Sequence, residues 1–232
     1  MAGGLIQLVE LFQTEEQDVA KVIKLFTVVI GLAMLWMPAQ AYEAGTWIVK
    51  GGATFVQPED TAWEEEGDKI IVDDGSSFGI TGTYMFTPNW GLDILAAWPF
   101  EHDVKLNPGG LGEIKIAEVT HLPPTVSVQY HFLPDSKWQP YAGLGLNYTF
   151  FFDEDVEESV LPGYDLDVDG SFGFAAQLGL DYQINEKWLF HIDARYISIE
   201  PDATLSGEGQ SDEVSLDINP MVYSIGFGRK FD

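Results

Sequence analysis

Eight stretches of the chain repeat with period two, each roughly ten residues long, beginning at Trp47, Phe78, Leu92, Thr125, Pro140, Phe172, Trp188 and Met221. In the fifth, Ala142, Leu144, Leu146, Tyr148 and Phe150 alternate with Gly143, Gly145, Asn147 and Thr149. In the seventh, Phe190, Ile192, Ala194 and Tyr196 alternate with His191, Asp193 and Arg195. Two is the side-chain period of a β-strand. A strand of about ten residues tilted by about 45° crosses a bilayer.

The second face decides what surrounds the first. In a soluble sandwich it would meet water and carry Lys, Glu and Asp. Here it holds Gly, Ser, Thr, Asn and Gln with a few charges of both signs. Such residues fill the interior of an eight-stranded barrel, which leaves little room for side chains. The apolar face then meets lipid, where only helices or a closed barrel satisfy the backbone.

The connections agree. Residues 87–89, 133–137 and 184–187 are short links; those near 57–75, 101–120, 153–169 and 200–213 are long, which is the asymmetry of periplasmic turns and external loops. The mature chain holds 33 acids, and 25 of them lie in the four long connections. Aromatics gather at two levels. Tyr84, Phe86, Trp90, Phe132, Trp138, Tyr182, Trp188, Phe227 and Phe231 lie by the short turns, and Trp98, Phe100, Phe150, Phe172 and Tyr196 by the long loops. Two membrane interfaces select two such girdles.

The longest apolar run, 25–37, is too short to span as a helix, for which about 20 residues are needed. It follows Lys21 and Lys24 and ends at Pro38-Ala39-Gln40-Ala41, the layout of a secretory signal peptide. We therefore divide the chain into an N-terminal extension with a cleaved signal-peptide helix, 1–41, and a barrel, 42–232. A buried N-terminal helix is the alternative. Glu10, Glu15, Glu16 and Asp18 are unusual upstream of a signal, which points to a later translation start. Without 1–41 the chain keeps 33 acids and 9 bases, a balance that argues against nucleic acid. The chain has no cysteine, which excludes disulfides and thiolate metal sites and suits export.

Chemical motifs are sparse, and no cofactor is expected. Asp165-Leu166-Asp167-Val168-Asp169-Gly170 opens like an EF-hand loop, but Ala176 stands where the bidentate Glu belongs. Weak divalent-cation binding there, or at Glu64-Glu65-Glu66, competes with a plain solvated acidic loop. Asn147-Tyr148-Thr149 matches a glycosylation sequon by chance, inside a strand. The lumen-facing candidates are Lys50, Asp93, Gln129, His131, Asp181, His191, Asp193 and Arg195. His191 and Asp193 share a face and invite a catalytic pairing; a charge network tying the interior together is the plainer account, and no enzyme is expected. Leu95 falls inward between Asp93 and Ala97, either a passage for an apolar molecule or packing that plugs the barrel.

Tyr84-Met85-Phe86-Thr87-Pro88-Asn89-Trp90-Gly91, Ala96-Ala97-Trp98-Pro99-Phe100, His121-Leu122-Pro123-Pro124-Thr125 and the run 140–148 resemble the outer-membrane protein W (OmpW) family. So do Phe151-Phe152-Asp153 and Gly179-Leu180-Asp181-Tyr182, in unchanged order from about Glu43 to Phe231. The resemblance implies an all-β, eight-stranded antiparallel transmembrane β-barrel in a Gram-negative outer membrane, exported by the Sec pathway. It implies a narrow hydrophobic channel for uptake or efflux of small apolar molecules, with Leu95 as an inward leucine and Phe172 as a channel aromatic. With Lys50, Asp93, Gln129, His131, His191, Asp193 and Arg195 these make up the expected lining. The expected partners are outer-membrane lipid and lipopolysaccharide, small hydrophobic solutes and the barrel-assembly machinery, with divalent cations at the acidic loops only on the motif alternative given above. A structural or adhesive barrel with a sealed lumen, acting through its acidic loops, is the alternative. Two residues depart from the pattern: Asp232 follows Phe231, and Arg229 stands where an outward aromatic is usual.

Overall fold

The computed structural model describes residues 42–59 and 61–231; the expected signal peptide lies outside them. In chain order the strands are β1 (Trp47–Gln57), β2 (Trp63–Glu65), β3 (Asp68–Val72), β4 (Gly75–Met85), β5 (Trp90–Ala97), β6 (Phe100–Asn107) and β7 (Ile114–Leu122). They continue with β8 (Thr125–His131), β9 (Trp138–Val156), β10 (Asp165–Val168), β11 (Ser171–Gln183), β12 (Trp188–Ile197), β13 (Asp202–Gly207), β14 (Gln210–Ser215) and β15 (Met221–Phe231).

Eight of these form a closed antiparallel ring in the order β11-β12-β15-β1-β4-β5-β8-β9, closed by β9 on β11. They are the eight alternating segments of the sequence. Their apolar sets point out: Val126, Leu144 and Leu178 are exposed on the lipid face, while Thr83, Ser127, Gln129, Asn147 and Gln177 are buried inside. No soluble protein could leave that face open, because contiguous apolar surface of this extent is sequestered in water. Near the short turns the girdle forms cross-strand ring pairs, Trp47–Tyr84 at 5.1 Å, Trp90–Tyr130 at 4.9 Å and Trp138–Tyr182 at 4.6 Å. The turns are locally tied; the Asn185 side chain accepts from the backbone N–H groups of Lys187 and Trp188 at 3.0 Å each.

The long connections are not loops. Seven short strands carry the wall outward beyond the membrane. β9 leaves β11 after Thr149 and continues beside β7, which pairs with β6, then β3, then β2. A separate sheet of β10, β13 and β14 faces them. Backbone bonds from Glu59 to Ile218 (3.0 Å) and from Asp217 to Ala62 (2.8 Å) bridge the two. Among the described residues no strand ladder joins the outer half of β9 to β10. The period-two signal was present here too, as Phe100, His102, Val104 and Leu106 against Glu101, Asp103 and Lys105, but the density of acids made it read as loop.

Candidate functional site

The interior has two layers of opposite chemistry, stacked because each strand changes its inward residues along its length. On the periplasmic side the inward positions are charged. Lys50 on β1 lies 3.4 Å from both carboxylate oxygens of Asp181 on β11, and its Nζ sits 4.4 Å from the centroid of the Tyr141 ring. The Tyr42 hydroxyl donates to the same carboxylate at 2.7 Å. One level outward, Arg195 Nη2 is 3.2 Å from Asp93 Oδ2 and also donates to the Gln177 amide oxygen. Thr83 Oγ1 donates to Asp93 Oδ1 at 2.6 Å. Asp93 and Asp181 are both 0% exposed. Buried charges survive only when paired and hydrogen-bonded, and here the two pairs tie β1 to β11 and β5 to β12 across the interior.

The outer layer is apolar. Val56, Phe100, Val168, Ile197, Ile199, Leu216 and neighbouring residues form one packed cluster. Above it a cavity of about 220 Å³ is lined by Val119, Phe151, Leu166, Ile199, Val214 and other apolar residues, with Asp212 and Glu213 at its edge. Two histidines belong to its wall. His102 on β6 and His121 on β7 stack at 4.8 Å between centroids and 23°, with Phe100 at 5.5 Å and Phe151 at 5.8 Å from His121. His102 Nδ1 lies 2.6 Å from the Asp73 carbonyl, which can only accept, so that nitrogen carries the proton. Burial pushes His102 below the ordinary imidazole range, and burial together with the neighbouring His102 pushes His121 down to about 3. Both rings are therefore neutral at neutral pH, in keeping with an apolar chamber.

Leu95 is 4% exposed and lies between these layers. Asp93, two residues before it, belongs to the charged layer, and Ala97, two residues after it, packs against the apolar cluster. Lys50, Gln129, His131, His191 and Arg195 are all buried inward, and Asp193 is partly buried among them. Gln129 and His131 contact each other, Oε1 to Nε2 at 3.2 Å. Neither ring nitrogen of His191 has a partner among the described residues, so no hydrogen bond ties it to Asp193.

Phe172 is a correction. It is 64% exposed on the lipid face, with Ser171 and Gly173 turned inward on either side of it. Parity along a strand is strict, so Phe172 shares its face with Phe174 and Leu178 and cannot line the interior. The aromatics that do reach inside include Tyr42, Tyr141, Phe151 and Phe100; the sequence placed Phe100 in the outer aromatic girdle, and the structure buries it at 1% exposure in the apolar cluster instead. For Tyr141 a signal existed. It shares parity with Gly143 and Gly145, and its cross-strand partner is Gly179, where a Cβ would lie 2.1 Å from the Tyr141 ring. The missing side chain makes the room for the ring. Tyr42 precedes the first strand, so no pattern reported it.

The OmpW family model matches residues 43–231. The outer membrane protein W of Vibrio cholerae is 37% identical over 213 residues, covering 88% of this chain and 98% of that protein. The outer membrane protein W of Escherichia coli is 38% identical over 200 residues, covering 83% and 92%. The crystal structure of the outer membrane protein OprG from Pseudomonas aeruginosa superposes with a TM-score of 0.77 at 38% identity, covering 83% of this chain and 99% of that one.

Proposed function

We propose, from the premise that the chain belongs to the OmpW family and resides in the outer membrane, that it takes small apolar molecules into the outer chamber of the barrel. The observation that carries this reading is the apolar cavity walled by β6, β7, β9 and the β10-β13-β14 sheet. Burying apolar surface there is favourable by roughly 25 cal/mol per Å², and the cavity wall offers little that a polar solute could use. Leu95, buried between the apolar and charged layers, marks the lower limit of the chamber in this reading. Below it Lys50, Asp93, Gln129, His131, His191, Asp193 and Arg195 act as a barrier in this reading, since an apolar molecule would have to break paired charges to pass. Onward movement is then sideways at the outer rim of the ring, where β9 leaves β11 after Thr149 and the junction between β9 and β10 begins without a ladder.

The test is binding of an environment-sensitive apolar dye to the purified barrel, with and without Ala203→Trp, which fills the cavity. Saturable binding lost in the variant supports the reading; no dye binding by the native protein ends it. The sealed, adhesive barrel is favoured by one observation, the two buried ion pairs that cross the interior. It predicts instead that deleting 153–169 abolishes function while Ala203→Trp changes nothing.

A further inference from the structure

One charged side chain breaks the apolar exterior. Along the outward face of the closed eight-strand ring, among the described residues, Arg229 is the single charged position; its neighbours there are Trp188, Val49, Phe227 and Phe231. It stands at the level of the periplasmic girdle, opposite Trp188 on β12 and Val49 on β1. Its guanidinium carbon lies 4.9 Å from the Phe231 ring centroid and 5.7 Å from that of Trp188. No hydrogen bond or ion pair to the described residues holds it.

A cation on the lipid face is costly at mid-bilayer and tolerated only near the interface, where an anion or water can meet it. Both rings lie within cation–π range of this guanidinium, and neither takes up its N–H donors in a hydrogen bond. What remains free is the fork of N–H donors along its edge, the geometry that matches a phosphate bidentately. At this height the phosphodiesters of the inner leaflet are anions that could meet it from the lipid side, and Val49 and Phe227 beside the arginine offer contact to an acyl chain. We propose that Arg229, with Trp188 and Phe231, forms a binding site for an anionic glycerophospholipid of the phosphatidylglycerol type. A glycerol headgroup leaves the phosphate charge uncompensated, whereas the ammonium of a choline or ethanolamine headgroup competes with the arginine for it. The site fixes the height of the barrel in the membrane and lies apart from the outer chamber, so it is independent of the reading given above.

The experiment is native mass spectrometry of the purified mature protein in detergent, titrated with phosphatidylglycerol, with phosphatidylcholine, and with inorganic phosphate. The native protein should hold one phosphatidylglycerol in preference to phosphatidylcholine, and inorganic phosphate should not displace it. Arg229→Gln should weaken that first lipid by about tenfold, with Arg229→Lys in between because it keeps the charge and loses the fork. Heat-modifiable gel mobility verifies that the variants are folded; if Arg229→Gln does not fold, Arg229→Lys and the headgroup preference of the native protein carry the test. Equal binding by native protein and variants, equal affinity for the two lipids, or displacement by inorganic phosphate at comparable concentration would each overturn the proposal, the last by assigning a free-anion site.

Discussion

The Tyr42 hydroxyl donates a 2.7 Å hydrogen bond to the Asp181 carboxylate, across 139 residues of chain. Tyr42 also sets its ring edge-on to His131 at 5.0 Å, and its backbone N–H reaches the Pro134 carbonyl at 3.2 Å. The segment before the first strand thus enters the barrel from the periplasmic side and becomes part of the charged layer.

Tyr42→Phe keeps the ring and removes the donor to a buried anion. Loss of a hydrogen bond to a charged group costs about 1.5–3 kcal/mol. Urea unfolding in lipid vesicles should show that loss, and an unchanged midpoint would mean that Asp181 is satisfied by Lys50 alone. We propose cleavage after Ala41; the intact mass of the exported protein should then match residues 42–232, and a longer product would move the boundary.

Breaking the Asp93–Arg195 pair should be worse than removing it. Asp93→Ala leaves Arg195 buried without its carboxylate, at a cost of about 3–5 kcal/mol. The double variant Asp93→Leu with Arg195→Met should recover most of this. A planar bilayer should report higher ion conductance for the single variant and none for the double. Additive losses in the double variant would contradict the pairing.

The outer chamber should loosen in acid. Burial holds His121 far below its unfolded value near 6.5, so unfolding takes up a proton in the range between. Stability is complete above about pH 6.5, falls as pH drops, and the share owed to His121 is fully lost near about pH 3. His102 adds to the same direction, opposed in part by Asp73 and Asp74, which favour its protonated form. Comparing thermal midpoints of the native protein and His121→Phe from pH 7 to 4 isolates the effect. Parallel curves would remove His121 as its source.

Phe172 and Phe151 should behave oppositely. Phe151→Ala opens the cavity wall and should alter binding of an apolar dye several-fold, whereas Phe172→Ala, on the lipid face, should leave it unchanged. Equal effects would mean that β11 carries a different register.

Gly179→Val would drive a side chain into the Tyr141 ring, whose nearest atom lies 2.1 Å from the position of a Cβ. Overpacking of a tight interior costs about 1–3 kcal/mol or more. Pairing it with Tyr141→Ala should restore folding, read as heat-modifiable mobility.

The eight strands were legible because parity is a local property. Once Leu144 and Leu178 point to lipid, Gly143 and Gln177 must point inside. The same rule made Leu95, Lys50, Asp93 and Arg195 inward by counting alone. It failed where the family resemblance overrode it at Phe172, and where acids such as Glu101 and Asp103 disguised the alternation of β6 as loop.

Sequence alone therefore determined the barrel, its orientation by turn length, and the face of nearly every spanning residue, since each follows from spacing along one strand. Tertiary structure decided which inward residues meet. Lys50 finds Asp181, Arg195 finds Asp93, Tyr42 closes the periplasmic end, and His102 stacks on His121, all through ring closure and register between distant strands. Those pairings depend on the stagger of the whole cylinder, a quantity that no single strand encodes.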